Sequence, residues 1–405
     1  MRFAGSRLFR AGVFSVLIAG LGLAGCSTTD TFEQPVPVPE VDTTVTFKTV
    51  WKMSVGDGHD DDFLYLAPLN AGEVVYAASA DGALVAVNSE TGKLLWKREL
   101  EDRIFAGVGG DLDQLYLVTR EADLIAVSRE DGRELWRKAL PTEALAAPQS
   151  NGSLVVTQTT DGRVLAFNTT DGEIVWQYDG VVPALSLRAA AAPLVGGDVV
   201  IASFSNGKLM ALAAESGQPL WQYEVGQPQG RTELERLVDI AGQPLVLDSA
   251  IMVSGYQGKL ALVDIRTGQE IWSRKASSLQ APMIGGGNIY MSSANGDVVA
   301  YRGSDRREVW LQEGLSWRQL TQPAVYDNYL VVGDYEGYLH VLSADDGRLV
   351  GQTRYDSDGL RVPLQRLANG NLMVLGNSGK LSVFTLRDRN GSALPQRSGQ
   401  RPGLN

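Results

Sequence analysis

Apolar and polar residues alternate with a period of two along most of the chain after residue 45, in short runs separated by turn-forming residues. Runs such as residues 73–76 and 154–157 are rich in β-branched side chains, which favour strands. Asp81-Gly82 and Asp161-Gly162 follow such runs, and they are tight-turn signals because glycine accepts a positive φ. The pattern predicts an all-β chain, since a helical solenoid would need a period of 3.6.

An eleven-residue pattern, first written as AVNSETGKLLW, recurs along this chain and ends each time on tryptophan. The copies end at Trp96, Trp136, Trp176, Trp221 and Trp272, and a further tryptophan follows at Trp310. A self-similar period near forty residues is typical of a four-stranded propeller blade. A large ring at the start of each last strand is expected to fill the wedge between neighbouring blades.

Two further markers recur with the same period and bring the number of units to eight. The first is a turn glycine, replaced by Ala122 in the second unit: Gly82, Gly162, Gly207, Gly258, Gly296, Gly337 and Gly379. The second is an upstream proline: Pro68, Pro148, Pro193, Pro244, Pro282, Pro323 and Pro363. Because proline cannot donate a ladder hydrogen bond, it is expected on an edge strand, and the innermost strand of each blade is such an edge.

The last unit lacks a fourth strand, whereas residues 46–53 form a strand without a blade and carry Trp51 at the repeated position. We therefore predict an eight-bladed β-propeller of four-stranded blades over residues 46–388, closed when the N-terminal strand completes the last blade. Closure of this kind removes the open sheet ends. Gly351 replaces the tryptophan of the seventh unit, which predicts a looser ring there.

The N-terminus has the features of an export signal. Arg2, Arg7 and Arg10 precede an apolar run over residues 11–24, which is shorter than the ~20 residues of a membrane-spanning helix. The run ends at Leu-Ala-Gly-Cys, which resembles a bacterial lipobox and implies removal of residues 1–25 and lipidation of Cys26. Ser27, which follows the cysteine, favours the outer membrane in the lipoprotein sorting pattern.

The two ends of the mature chain are polar. Residues 26–45 contain alternating prolines and are expected to form a lipidated, extended tether. Residues 389–405 are expected to be a disordered polar tail. The full chain of 405 residues carries a net charge of −11, and loss of three arginines with the signal peptide leaves −14. An acidic surface argues against nucleic acid as a partner.

Candidate chemistry is sparse. The chain has two histidines, His59 and His340, and one cysteine, Cys26, so no disulfide is expected within it. The acidic stretch at residues 57–62 suggests Ca²⁺, but its spacing is not that of an EF-hand, and we interpret it as a solvated loop. No catalytic, metal-binding or cofactor-binding residue is predicted.

The repeat resembles the tryptophan-docking repeat of quinoprotein dehydrogenases. This resemblance implies an alternative function, a periplasmic quinoprotein or a propeller that binds a small ligand. Those enzymes hold a quinone and Ca²⁺ in the channel, and many place a vicinal disulfide beside the quinone. With one cysteine this chain offers no such disulfide.

The lipoprotein signal, the proline tether and the eight-unit repeat together resemble the BamB family. The resemblance covers essentially the whole chain and implies a non-catalytic scaffold of the outer-membrane β-barrel assembly machinery, on the periplasmic face. It implies BamA as the direct partner, with the other subunits of the complex and unfolded outer-membrane β-barrel proteins as further partners.

Two connections, residues 179–188 and 224–243, are longer than the repeat requires, and both are expected on one face of the disc. Leu185, Leu187 and Arg188 in the first are either a binding hot spot or a plug that tucks beneath the loop. The family resemblance implies that Leu185, Leu187, Arg188 and Asp239 contact a periplasmic domain of BamA. The family carries a second acidic residue at the position of Ala241, and Glu233 or Glu235 is a possible substitute.

Overall fold

The computed structural model describes residues 33–59, 62–188 and 191–394, and these form strands and turns without any helix. No segment of the described ranges is therefore a helix of the length and apolarity needed to cross a membrane. Cys26 and the signal peptide lie outside the described residues, as do residues 395–405 of the predicted tail.

Two strands precede the first blade along the chain and join sheets formed by later residues. They are β1 (Val45–Ser54) and β2 (Tyr65–Leu66). Blade 1 follows, with β3 (Leu69–Ala71), β4 (Val74–Ala78), β5 (Ala83–Asn88) and β6 (Leu94–Glu99). Blade 2 contains β7 (Ile104–Gly110), β8 (Gln114–Thr119), β9 (Asp123–Ser128) and β10 (Glu134–Ala139).

Blades 3 to 5 follow the same order from the inner to the outer strand. Blade 3 contains β11 (Gln149–Ser150), β12 (Leu154–Gln158), β13 (Arg163–Asn168) and β14 (Ile174–Asp179). Blade 4 contains β15 (Leu194–Val195), β16 (Val199–Ser203), β17 (Lys208–Ala213) and β18 (Pro219–Glu224). Blade 5 contains β19 (Leu245–Leu247), β20 (Ala250–Ser254), β21 (Gly258–Asp264) and β22 (Glu270–Ala276).

Blades 6 to 8 complete the ring. Blade 6 contains β23 (Met283–Gly285), β24 (Asn288–Ser292), β25 (Val298–Arg302) and β26 (Glu308–Gln312). Blade 7 contains β27 (Ala324–Tyr326), β28 (Tyr329–Gly333), β29 (Tyr338–Ser343) and β30 (Leu349–Arg354). Blade 8 contains β31 (Gln365–Arg366), β32 (Leu372–Leu375) and β33 (Lys380–Asp388), and β1 is its outer strand. The predicted fold and its closure are confirmed.

Closure is made by antiparallel pairing of β1 with β33, from Val45 opposite Asp388 to Ser54 opposite Lys380. The repeated prolines lie next to the inner strands but not within them: Pro68, for example, directly precedes the inner strand β3, and Pro148 directly precedes β11. Blade 2 has a fifth strand, because β2 pairs in parallel with β7 on the channel side. The sequence pattern did not predict this addition.

Tryptophans dock six of the eight blades on the next. The indole of Trp51 donates to the carbonyl of Ser89 at 3.0 Å and covers Gly92, where a Cβ would stand 2.6 Å from the ring. Trp96, Trp136, Trp176, Trp221 and Trp310 repeat both contacts, on Gly132, Gly172, Gly217, Gly268 and Gly347. The tryptophan copies therefore hold the ring together.

Blade 7 has Gly351 where the tryptophan would stand, yet its junction with blade 8 is filled. Val45 and Leu386 pack there with Tyr326 and Phe384, all buried, and the Phe47 ring meets that of Phe384 edge-on at 5.7 Å. The expected looseness at this junction is therefore offset by aromatic and aliphatic packing.

The disc has two faces, which follow from the antiparallel order of strands in each blade. Connections between blades, and the turns between second and third strands, lie on one face, called here the loop face. The remaining turns, including those that receive the tryptophans, lie on the other, called here the turn face. Both long connections lie on the loop face.

Candidate functional site on the loop face

The two long connections meet on the loop face, as their spacing predicted. The backbone N–H of Leu187 donates to Asp239 Oδ2 at 3.2 Å, and the backbone carbonyl of Asp239 accepts from the N–H of Tyr256 at 2.7 Å. Asp239 therefore fastens the first connection to the second and both to blade 5.

The leucines of the first connection face solvent. Leu185 is 41% exposed and Leu187 is 37% exposed, whereas Val238 and Ile240 of the second connection are buried against the propeller. The leucines are therefore not a plug beneath the loop. Two partly exposed apolar side chains on a fastened loop are suited to contact with another surface.

Arg188 is exposed beside them in the left-handed region, with a φ of 51°. Its Nη2 lies 2.7 Å from Glu143 Oε1, a residue of the connection between blades 2 and 3. Exposed ion pairs contribute only ~0–1 kcal/mol, so the guanidinium can exchange Glu143 for a carboxylate on another protein at little cost.

Asp239 has a different setting from the other predicted contact residues, because its side chain is only 2% exposed. Burial raises its pKa from the usual 3.8 to about 6, against the opposing effect of the N–H groups of Leu187 and Ile240. This geometry makes Asp239 a positioning residue for the loop. Its predicted contact with a partner stays a prediction.

The possible acidic substitutes for the residue missing at Ala241 lie in a short turn. Glu235 accepts from the N–H of Arg231 at 2.7 Å and of Thr232 at 3.3 Å, while its own N–H donates to Thr232 Oγ1 at 3.2 Å. This is a capping box, so the Glu235 carboxylate is committed within the loop. The Thr-x-x-Glu spacing was a signal that the sequence offered and that our interpretation missed.

A funnel of about 410 Å³ opens at the centre of the loop face. Its wall is largely apolar and includes Phe63, Phe105, Leu145, Leu187 and Leu279. Ala241 also lines it, so the position at which the family resemblance implies a second acidic residue borders the funnel. The leucine loop and the funnel therefore form one continuous surface.

A hydrogen bond crosses the channel at the level of this funnel. Tyr65 Oη donates to Gln280 Oε1 at 2.9 Å. Tyr65 belongs to β2 on the inner edge of blade 2, and Gln280 precedes the inner strand of blade 6, which stands opposite in an eight-bladed ring. The residues here do not fit a flat quinone on the axis, because side chains from opposite blades already meet.

The two histidines lie apart in the fold. His340 is fully buried in blade 7, with Nε2 2.9 Å from Asp334 Oδ2. His59 is 2% exposed, and burial together with the charge of Arg361 lowers its pKa to about 4. The prediction of a solvated loop is thus wrong for His59. Within the described ranges no three His, Cys, Asp or Glu side chains are grouped to hold a metal ion.

These features define a class: a β-propeller with quinoprotein-like repeats and a candidate protein-docking surface on one face. The family model for outer membrane protein assembly factor BamB matches residues 46–106 and 80–312. A curated BamB of Marinobacter adhaerens is 71% identical over 94% of this chain and 98% of its own length. The chain belongs to the BamB family.

Solved structures agree with this assignment. The crystal structure of BamB from Moraxella catarrhalis superposes with a TM-score of 0.75 at 28% identity, over 84% of this chain and all of that one. Quinohemoprotein alcohol dehydrogenase from Comamonas testosteroni superposes with a TM-score of 0.64 at 12% identity, over 89% of this chain and 79% of that one. At that identity the second likeness shows the fold alone.

Proposed function

We propose that this protein is a non-catalytic scaffold that docks on BamA within the outer-membrane β-barrel assembly machinery and aids insertion of β-barrel proteins. Membership of a family whose members are named outer membrane protein assembly factors supports the assembly role. The docking part rests on one observation: Asp239 holds a loop that presents Leu185, Leu187 and Arg188 beside the funnel.

The recognition chemistry of this surface is specific. The two leucines and the apolar funnel wall would take an apolar side chain of the partner, and Arg188 would take a neighbouring carboxylate. A POTRA domain of BamA is the proposed partner because of the family resemblance in Leu185, Leu187 and Arg188. Other subunits of the machinery and unfolded barrel proteins are the further proposed partners.

The protein is proposed to be anchored in the outer membrane, on the periplasmic side, through lipids on Cys26. The order of basic, apolar and small residues before Cys26 supports this proposal. Several acyl chains on one residue would give stable attachment, whereas a single chain gives only marginal binding. No cofactor, metal or substrate takes part in the proposed function.

Affinity purification from detergent-solubilised membranes tests the docking proposal. The full-length protein with a C-terminal tag should retain BamA, and a form with both Leu185→Ala and Leu187→Ala should lose most of it at equal abundance. Equal recovery of BamA with both forms would refute docking through this loop.

The quinoprotein alternative has its own experiment. Pyrroloquinoline quinone and Ca²⁺ added to the purified protein should give no saturable binding in a calorimetric titration and no oxidation of alcohols or sugars. Stoichiometric binding with turnover would instead support an enzyme and contradict the scaffold role.

A further inference from the structure

The segment before the first propeller strand crosses the side of blade 7. At one end, the N–H of Val36 donates to the carbonyl of Ser316 at 3.1 Å, in a connection on the loop face. At the other end, the N–H of Thr44 donates to the carbonyl of Val350 at 2.8 Å, near the start of β30 at the turn face. Residues 36–44 therefore run from the loop face to the turn face.

The loop-face end is held by a buried cation. The Arg318 side chain is 2% exposed; its Nε lies 2.7 Å from Asp334 Oδ2, and its Nη2 pairs with Glu336. The remaining nitrogen, Nη1, donates to the carbonyl oxygen of Val36 at 2.9 Å. Each nitrogen of a buried guanidinium needs a hydrogen-bond acceptor. Asp334 and Glu336 provide two of these acceptors, and the Val36 carbonyl provides the third.

The sequence of the segment suits this docking site. Prolines at 35, 37 and 39 hold an extended polyproline conformation in the free chain, so little conformational entropy is lost when the segment docks. Val36 and Val38 are half-buried, while Pro37 between them is exposed. The segment is held at this end through the backbone N–H and carbonyl of Val36, which bond to Ser316 and Arg318 of the propeller.

The docking changes the face from which the chain leaves the propeller. β1 begins at Val45 on the turn face, so a chain that was free up to that point would leave from the turn face. The docked segment instead carries the chain back to Val36, beside Ser316 on the loop face. This is the same face that carries Leu185, Leu187 and Arg188.

We propose that residues 35–44 are a strap held at Arg318, and that this strap makes the lipid anchor leave from the loop face. The proposal rests on the proposed lipidation of Cys26. With the strap docked, the nine peptide units from Cys26 to Pro35 span at most about 30 Å. Without it, the nineteen units to Val45 would span about 65 Å and lead to the opposite face.

Fluorescence energy transfer to a lipid-borne acceptor tests the orientation. The full-length lipidated protein is reconstituted on vesicles with a donor dye on one introduced cysteine, either Glu121→Cys on the loop face or Glu130→Cys on the turn face. Both residues are exposed and belong to blade 2. We expect stronger transfer from position 121. Equal or stronger transfer from position 130 would overturn the proposal.

A release variant makes the test specific to the strap. Replacing residues 35–39 by Gly-Ser-Gly-Ser-Gly keeps the length and leaves the ring untouched, and it should abolish the preference for position 121. The same replacement at residues 28–32, nearer the anchor, is the matched control and should keep that preference. If the release variant retains the stronger transfer from position 121, the contact between Arg318 and Val36 does not determine the face from which the chain leaves.

A distance measurement separates the strap from the lipid anchor. Nitroxides at Glu40→Cys and Ser357→Cys, both exposed positions, should give a narrow distance distribution in detergent and a broad one in the release variant. A broad distribution in the parent would overturn the strap whether or not Cys26 is lipidated. A third labelled thiol would show that Cys26 is free, which refutes the lipid anchor and leaves the strap to be decided by the distance.

Discussion

Gly351 lies directly against the main chain of Val45: a Cβ on Gly351 would stand 2.3 Å from the Val45 carbonyl oxygen. The contact explains why the seventh repeat lacks its tryptophan. In six other junctions a tryptophan covers a turn between the third and fourth strands of the next blade. In blade 8 those strands are β33 and β1, from opposite ends of the propeller chain. The chain that enters β1 takes the space instead.

Restoring the repeat at this position should therefore harm the protein. We expect Gly351→Ala to lower the free energy of unfolding by about 1–3 kcal/mol, and Gly351→Trp by more, because each pushes Val45 away from β30. Gly197→Ala is the control, since a Cβ there meets nothing within 4 Å. Urea unfolding measures the difference, and a Gly351→Trp form as stable as the parent would contradict this explanation.

The docking role of the tryptophans can be separated from glycine's conformational freedom. Gly92 and Gly72 have φ values of 69° and 80°, but only at Gly92 would a Cβ meet a ring, that of Trp51. Gly72→Ala should cost about 1 kcal/mol from the backbone alone, and Gly92→Ala clearly more. Equal melting temperatures for the two variants would show that the ring contact is unimportant.

Leu187 and Arg188 are expected to carry binding but not stability. Leu187→Ala or Arg188→Ala should weaken BamA co-purification at least about tenfold, since loss of a hot-spot side chain typically costs ~2 kcal/mol or more. Leu112→Ala is the control, because Leu112 is 87% exposed and lies on the turn face. If Leu187→Ala instead lowers the melting temperature while the folded fraction binds normally, the loop is structural.

The ion pair between Arg188 and Glu143 predicts a variant that keeps or raises the affinity for BamA. Glu143→Gln removes the internal carboxylate and leaves Arg188 available. Affinity for BamA, measured by calorimetry with its periplasmic domains, should be equal or higher. A loss of affinity as large as that of Arg188→Ala would mean that Glu143 orients Arg188.

Asp239 should make stability depend on pH. Its pKa of about 6 exceeds the usual 3.8, so the folded protein holds a proton that the unfolded chain has released between about pH 4 and pH 6. The free energy of unfolding therefore falls as pH rises through that window, by on the order of 3 kcal/mol at most. Asp239→Asn should be more stable than the parent at pH 8 and similar below pH 4, as measured by urea unfolding.

The sequence predicted the features that repeat within each blade. Trp96 with its turn glycine, and Pro68 beside its inner strand, are local patterns that recur with one period, so the blade count and the closing strand could be read from them. The positions of the two long connections followed from the same period.

The features that sequence could not predict are single contacts between distant residues. Tyr65 and Gln280 are 215 positions apart, and β2 has two residues, too few to show any periodicity. The composition of residues 26–45 predicts a free tether, because nothing within that segment indicates that Val36 contacts Arg318, 282 positions away. The burial of Asp239 likewise depends on the packing of the two long connections against each other, which no periodic sequence pattern indicates.

Pairing of β1 with β33 has a consequence for synthesis. Thr46 and Asp388 are 342 positions apart, so the first strand of the ring emerges long before its partner exists. Until β33 has been synthesised, the backbone N–H and C=O groups along the edge of β1 have no strand to pair with. A chain truncated before Lys380 would lack β33, the strand that pairs with β1 and so holds Trp51 in place. It would therefore lose the junction between blades 8 and 1. The ring can therefore close only after β33 has been made, and loss of the last tenth of the chain should be as damaging as loss of β1.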